Sequence, residues 1–368
     1  MKEKGERLPN YDGTEAFLSK GECMKRKISV IVPCFNVTEY IDKCMESLLN
    51  QTIGLDNIEI ILVDDASTDD GGTVERLMQY EKKFTDNIMV VLSDKNMRQG
   101  GARNIGIQYA TGEYLLFCDA DDYLSLCAME RLYNAARKYD ADVVEFVIKK
   151  ILSYGEIDET LISGEKSYLL DMSDKEVRKE VIDLSVEEFG LGCMNKLYRT
   201  SMIQEHNIQF AEHLIYEEPS FTLPVRLYEQ RHLYLDEVLY YYIQRQGSTM
   251  YGLDKQHYLD SIKVWNILIE DLKERGLLDQ YYDKISKMYY DWGFLLNLYI
   301  LLEKGETITN TIFEKMVGMV KGHFPEIGEN PQFADERGQK EISVLYMTDV
   351  ENKQEELIET LKKCVLGT

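Results

Sequence analysis

The chain has 368 residues, of which 44% are hydrophobic and 29% are charged, and its formal net charge is −23 at pH 7. This length predicts about two domains with a substantial buried core. The acidic balance argues against nucleic acid as a partner, because phosphate binding needs a surplus of Lys and Arg, but it allows a small basic cleft for a phosphorylated ligand.

The lack of a targeting signal and the pattern of the cysteines predict a protein of the cell interior. No apolar run reaches the ~18 residues that a membrane span needs, and the polar N-terminus MKEKGERLPNYDG lacks the apolar core of a signal peptide. The seven cysteines are an odd number without a CxxC pair, which predicts reduced, buried thiols in a cytoplasmic protein. Peripheral association with the inner face of a membrane stays open.

Strand and helix patterns alternate through the first part of the chain. Residues 1–26 show no period and are interpreted as an N-terminal extension. Asn36 and Glu39 resemble a helix-start box, and a later helix is predicted from Leu126 to Tyr139. The alternation predicts an α/β fold with a doubly wound sheet. Apolar, β-branched runs predict its buried strands at 28–33, 58–64, 88–94, 114–119 and 143–150.

The second part of the chain has a different pattern. Residues 251–368 are predicted to form a mainly helical region, with one helix ending at the Gly of KERG. Residues 342–349, ISVLYMTD, are a candidate strand. Five aromatic residues either present their rings to an acceptor sugar or partner, or, as the favoured alternative, pack against the catalytic domain. They are Tyr281, Tyr282, Tyr289, Tyr290 and Trp292.

Carboxylates follow three of the predicted strands, at positions 64–65, 94 and 119–122. The carboxyl ends of parallel strands meet at one edge of an open α/β sheet, where ligands bind. A single Asp pair after a strand is more often a turn. Three acid-bearing strand ends in register therefore predict a functional site.

Four blocks in this order resemble the family 2 glycosyltransferases of GT-A fold: VPCFN at 32–36, VDDASTDD at 63–70, GGARN at 100–104 and DADD at 119–122. A more divergent resemblance continues to about residue 250 through MNKLYRTSMI, IYEEPSF and YYYIQRQGST. The resemblance implies a GT-A catalytic domain at 27–250. It also implies an inverting, non-processive enzyme that moves a sugar from a nucleotide-diphosphate sugar, expected to be a UDP-sugar, to a hydroxyl of a glycan or glycoconjugate.

The resemblance implies a nucleotide site at the first two strand ends. Pro33 and Phe35 would form a wall against the base, and Asp65 would accept a hydrogen bond from a base imide N–H. Asp64 would bond to backbone or ribose. The structural alternatives are a rigid apolar strand exit and an Asx turn over Ser67.

The resemblance also implies a divalent cation, Mn²⁺ or Mg²⁺, that bridges to the diphosphate. Asp121 would be its direct ligand, and Asp119 would lie near the ribose and the metal. Asp122 could instead cap the following helix. Arg103 or Arg98 could contact a phosphate, but a structural role of Arg103 as partner of a strand-end acid is an equal alternative.

The base that deprotonates the acceptor is expected in YEEPSF. The family pattern points to Glu218 at a position where Asp is usual, and the longer side chain leaves Glu217 as a rival. Arg245, Ser248 and Thr249 resemble a segment that folds over the diphosphate, although a polar linker is an equal alternative.

Three other functions fit the sequence less well. A sugar nucleotidyltransferase needs a Gly-rich basic loop after the first strand, and VPCFNVTEY has no Gly, Lys or Arg. A non-catalytic nucleotide- or glycan-binding module is disfavoured because all the required carboxylates are present. A processive synthase needs membrane helices and a QxxRW block, both of which this sequence lacks.

Overall fold

The computed structural model describes residues 6–7, 26–152, 166–174, 176–179, 190–244 and 255–365. Ten strands lie in these ranges: β1 (Glu6–Arg7), β2 (Ile28–Cys34), β3 (Ile58–Asp64), β4 (Ile88–Leu92), β5 (Tyr114–Phe117), β6 (Tyr123–Leu124), β7 (Val143–Ile151), β8 (Tyr168–Asp171), β9 (Lys196–Arg199) and β10 (Arg231–Ile243).

The first α-helices alternate with these strands. They are α1 (Ile41–Leu49), α2 (Gly72–Lys83), α3 (Arg98–Tyr109), α4 (Ala128–Tyr139), α5 (Thr200–Glu205) and α6 (Glu218–Tyr228). A helical region follows, with α7 (Lys255–Glu274), α8 (Tyr282–Met288), a π-helix (Tyr289–Leu295), α9 (Leu296–Glu303), α10 (Asn310–His323), α11 (Glu336–Ser343) and α12 (Gln354–Val365).

The strands form one mixed sheet in the order β1-β8-β10-β7-β9-β5-β2-β3-β4, and β6 pairs with β10. The four strands β5, β2, β3 and β4 are parallel neighbours. These four strands correspond to the first four of the five predicted apolar runs, and β7 corresponds to the fifth. Antiparallel β9 then joins β5 to β7. The α/β sheet with a helical C-terminal region is therefore confirmed, and the carboxyl ends of β2, β3 and β5 lie side by side.

Apolar clusters cover both faces of the sheet. This arrangement explains why the parallel strands are continuously hydrophobic rather than alternating. Helix α3 lies especially close to β2: a Cβ on Gly106 would be 2.3 Å from Cγ2 of Ile31. Only glycine allows this approach, which brings the start of α3 next to the strand ends.

Two local predictions are wrong. Asn36 does not start a helix, because α1 begins at Ile41. Asn36 instead has a positive φ of 52° and accepts a hydrogen bond from the Thr68 amide, which joins the β2 and β3 exits. Residues 342–349 are not a strand: they end α11 and continue as the 3₁₀ helix Val344–Tyr346.

The helical region has its own apolar core, which also takes in Leu223 and Leu227 of α6. Tyr281, Tyr289 and Tyr290 are buried in this core, whereas Trp292 is only partly buried. The favoured prediction of buried rings therefore holds for those three tyrosines, although they pack chiefly within the helical region. Helix α6 couples this region to the sheet.

Two further observations concern the helices and the cysteines. Within the described ranges, none of the helices has the length and hydropathy of a membrane span. The six described cysteines form no disulfide, and five of them are buried. The prediction of core thiols therefore agrees with the five buried cysteines, whereas Cys127 is only partly buried.

Candidate active site

One cleft lies at the carboxyl ends of β2, β3 and β5 and is closed on another side by the turn before α6. It brings together side chains that are up to 184 positions apart in the chain (33 to 217). The lining residues are Pro33, Cys34, Phe35, Val37, Asp65, Asn96, Arg98, Gln99, Ala102, Asp119, Ala120, Asp121, Leu214, Ile215 and Glu217.

The β2 and β3 exits form one wall of the cleft. Phe35 is 44% exposed and lines the cleft. The Met97 amide donates to Oδ1 of Asp65 at 2.6 Å, and this bond orients the carboxylate. Burial raises the pKa of Asp65 from its usual value. Asp64 points away and accepts a bond from the Ser67 amide at 3.2 Å, as an Asx turn does.

Arg103 is buried beneath the cleft rather than exposed in it. Its side chain is 1% exposed, with Nη2 2.9 Å from Oδ1 of Asp119 and Nη1 2.5 Å from Oε1 of Glu217. Both guanidinium arms are therefore occupied by carboxylates. Of the two alternatives for Arg103, the structure favours the structural ion pair over a direct phosphate contact. Arg98, in contrast, lines the cleft.

The acidic triplet divides into two roles. Asp119 and Asp121 line the cleft. Asp122 is buried and accepts hydrogen bonds from Tyr240 Oη at 2.7 Å and from the Ile243 amide at 2.8 Å. Burial, and then the charges of Asp119 and Asp121, raise the pKa of Asp122 to about 8. Asp122 thus anchors the end of β10 and does not cap α4.

The turn before α6 separates the two candidate bases. Tyr216 has a φ of +61°, a strained conformation for a non-glycine residue that is common at functional sites. Glu217 faces the cleft, while Glu218 lines a second cavity on the other side of the turn. A Cβ on Gly100 would be 2.9 Å from Cγ of Glu217, so α3 packs directly against this turn.

The two glutamates also differ electrostatically. Burial and the neighbouring Glu218 charge raise the pKa of Glu217 to about 7, although Arg103 opposes the shift. Burial likewise raises the pKa of Glu218. Among the described residues Glu217 has an ion-pair partner and Glu218 has none.

A metal could use only part of this site. Within the described ranges, no group of three or more His, Cys, Asp and Glu side chains converges on a metal-sized position. Mg²⁺, however, is commonly held by one or two carboxylates together with substrate phosphates and water. Asp119 and Asp121 on one cleft wall fit that second arrangement.

The structure brings some of the predicted residues into the cleft, leaves others outside it and adds two that were not predicted. Asn96, which holds the Asp65 carbonyl, and Tyr240, which holds Asp122, were missed, because no sequence motif marks either one. Arg245, Ser248 and Thr249 lie outside the described residues. Asp94 is exposed and does not line the cleft, although it follows a strand. The predicted residues that line the cleft are Pro33, Phe35, Asp65, Arg98, Asp119, Asp121 and Glu217.

Comparison with known proteins agrees with this geometry. Residues 29–178 match the family described as Glycosyl transferase family 2. Glycosyltransferase GlyG of Streptococcus pneumoniae is 30% identical over 264 residues, which cover 69% of this chain and 83% of that protein. Poly(ribitol-phosphate) beta-glucosyltransferase of Bacillus spizizenii is 31% identical over 226 residues, or 61% of this chain. The match covers only 33% of that Bacillus protein.

A solved structure extends the likeness to the fold. The crystal structure of S. aureus TarS 1-349 in complex with UDP-GlcNAc is similar with a TM-score of 0.62 at 20% identity. The match covers 93% of this chain and 91% of that one, so it includes much of the helical region. The sequence and structure matches together confirm the resemblance noted from the four blocks. The chain belongs to family 2 of the glycosyltransferases and has the GT-A fold.

Proposed function

We propose that this protein transfers a sugar from a UDP-sugar to a hydroxyl of a glycan or glycoconjugate, with inversion at the anomeric carbon and with a divalent cation. One observation carries the proposal: a single cleft presents an exposed aromatic ring, an oriented carboxylate and two strand-end aspartates at the carboxyl edge of the sheet. The ring and Asp65 suit a base with an imide N–H, and Asp119 and Asp121 lie where a diphosphate would follow.

The charge of the cleft supports the cation. Its lining includes Asp65, Asp119, Asp121 and Glu217, whereas Arg98 is the one basic side chain that the described residues contribute to it. A diphosphate would be repelled by these carboxylates unless a cation lay between them. Asp121, with Asp119, would hold Mn²⁺ or Mg²⁺, which neutralises charge on the departing diphosphate.

The ion pairs support Glu218 as the base. Arg103 holds Glu217 and Asp119, so Glu217 serves to position the cleft wall. Glu218 has a carboxylate without an ion-pair partner among the described residues and a raised pKa, both suited to accepting a proton. One base acting on an acceptor hydroxyl, followed by direct displacement, gives inversion.

The cellular location and the acceptor are also part of the proposal. We expect a cytoplasmic enzyme, in keeping with the six described cysteines that form no disulfide, and an acceptor that belongs to bacterial surface glycan synthesis. Attachment to the inner face of a membrane is left to experiment.

The test is a screen of nucleotide sugars for metal-dependent release of free nucleotide, with and without glycan acceptors. We expect a UDP-sugar to be turned over with Mn²⁺ or Mg²⁺ and to be inert in excess EDTA. Asp121→Asn should abolish turnover while the fold is retained, because it removes a ligand charge at constant volume.

Asp94→Asn is the matched control. It removes the same charge from a strand-end aspartate that lies outside the cleft, and it should leave turnover unchanged. Full activity in EDTA would contradict the metal assignment. Equal losses in the two variants would show that the effect comes from net charge rather than from ligation.

A further inference from the structure

A second cavity of about 290 Å³ lies between the catalytic part of the chain and the helical region. This volume is near the lower end of the range for small-molecule sites. Leu191, Tyr216, Glu218 and Pro219 form the catalytic side. The helical side consists of Ser261, Trp265, Trp292, Leu296, Asn297 and Ile300.

The helical wall is shaped by the π-helix. Asn297 Nδ2 donates to the carbonyls of Trp292 at 2.8 Å and Gly293 at 3.2 Å, both of which belong to the π-helix. A Cβ on Gly293 would be 3.0 Å from Cγ of Trp265, so that indole packs directly on the backbone. The π-helix thus fixes two indoles at one cavity, as such bulges often do at functional sites.

The polar groups of the cavity select the kind of ligand. Among the residues that the structure describes, no Lys, Arg or His lines this cavity. Glu218 contributes a carboxylate, which accepts hydrogen bonds, and Tyr216 and Ser261 are the hydroxyl-bearing residues of the lining. The indoles offer flat apolar faces. This combination suits a neutral, hydroxyl-rich ring and disfavours phosphate.

We propose that the second cavity is the acceptor subsite and that it holds a neutral sugar residue of the acceptor against Trp292, with a hydroxyl on the Glu218 carboxylate. This inference rests on the proposed function, because Glu218 is the base there. Glu217 and Glu218 are consecutive residues, so the donor cleft and this cavity flank one short turn. The proposal requires an acceptor hydroxyl on Glu218 to reach around this turn toward the donor cleft.

The test uses tryptophan emission, since the chain has two tryptophans and both line the cavity. The full chain is titrated with methyl glycosides of glucose, galactose, mannose, N-acetylglucosamine and N-acetylgalactosamine. We expect at least one to change the emission saturably, with a dissociation constant in the millimolar range. Glucose 6-phosphate and galactose 6-phosphate should change it little.

Two variants localise the response. Ser261→Phe, which fills the cavity, should abolish the response to glycosides while calorimetry still detects UDP binding. Trp292→Phe should remove most of the signal and weaken the response that remains on Trp265. A response that survives in Ser261→Phe would place the sugar elsewhere and overturn the inference.

The outcomes separate this inference from the proposed function. If UDP binds but no glycoside in the panel changes the emission, the acceptor subsite is wrong and the donor cleft stands. A change of equal size with the sugar phosphates would also overturn the inference, because the cavity would then not exclude phosphate. If UDP does not bind at all, the proposed function itself fails.

Discussion

Replacing Arg103 by methionine should destabilise the protein in a pH-dependent way. The guanidinium lies between Asp119 and Glu217, and its side chain is 1% exposed. Methionine keeps much of the volume but leaves two buried carboxylates without a counter-charge. Removing one partner of a buried ion pair costs about 3–5 kcal/mol in free energy of unfolding.

The pH dependence follows from Glu217, whose pKa in the folded protein is about 7 against an ordinary value of 4.5. A carboxyl with a raised folded-state pKa contributes stability that is present at low pH and is lost as pH rises through that pKa. Without Arg103 the pKa of Glu217 should rise further. The stability gap to wild type should then widen above pH 7, by at most about 1.4 kcal/mol per pH unit for one carboxyl.

Urea denaturation followed by circular dichroism at pH 6 and pH 8.5 measures this difference. We expect the loss at pH 6 to be smaller by ~1–2 kcal/mol. Arg131→Met is the control for the loss of a buried ion pair, because it breaks the pair with Glu237. This pair lies away from the cleft, so the binding affinity for UDP should be unchanged. A loss below about 1 kcal/mol, typical of an exposed pair, or one independent of pH would refute the reasoning.

Two further predictions concern the donor cleft and the packing below it. Asp65→Ala should weaken UDP binding by roughly 1–3 kcal/mol, the value of one charge-assisted hydrogen bond, and calorimetry showing unchanged affinity would mean that Asp65 only shapes the turn. Gly106→Ala should lower the free energy of unfolding by about 1–3 kcal/mol, because its methyl would overlap Ile31. Gly318→Ala, where a Cβ meets nothing within 4 Å, should instead be neutral or stabilising in the same denaturation assay.

The sequence was most informative where local composition determines structure. The strands β2, β3 and β5 are buried on both faces, so their apolar runs were visible without knowledge of their neighbours. Strand β10 was missed because its 13 residues mix Tyr, Asp and Glu and contain two register shifts against β7. Helix α7 lies within the predicted helical region because amphipathic spacing is also a local signal.

The position of the site could be predicted from the sequence, but the pairing of side chains that are far apart in the chain could not. The edge that collects Asp65, Asp119 and Asp121 follows from topology and was expected. The role of Arg103 was not decidable, because its partner Glu217 is 114 positions away and an arginine near acids fits either alternative. The second cavity could not be foreseen, since it depends on how the π-helix packs beside Glu218.

The most direct test of the account compares Glu218→Gln with Glu217→Gln. Each variant removes one carboxylate charge at nearly constant volume, and the two positions are adjacent, so a general electrostatic effect would appear in both. If Glu218 is the base, its variant should lose roughly 10²–10⁴ of the transfer rate with nearly unchanged UDP affinity, and the Glu217 variant should lose less. An inactive Glu217→Gln beside an active Glu218→Gln would reverse the roles, and normal transfer in both would contradict the assignment of the base to this turn.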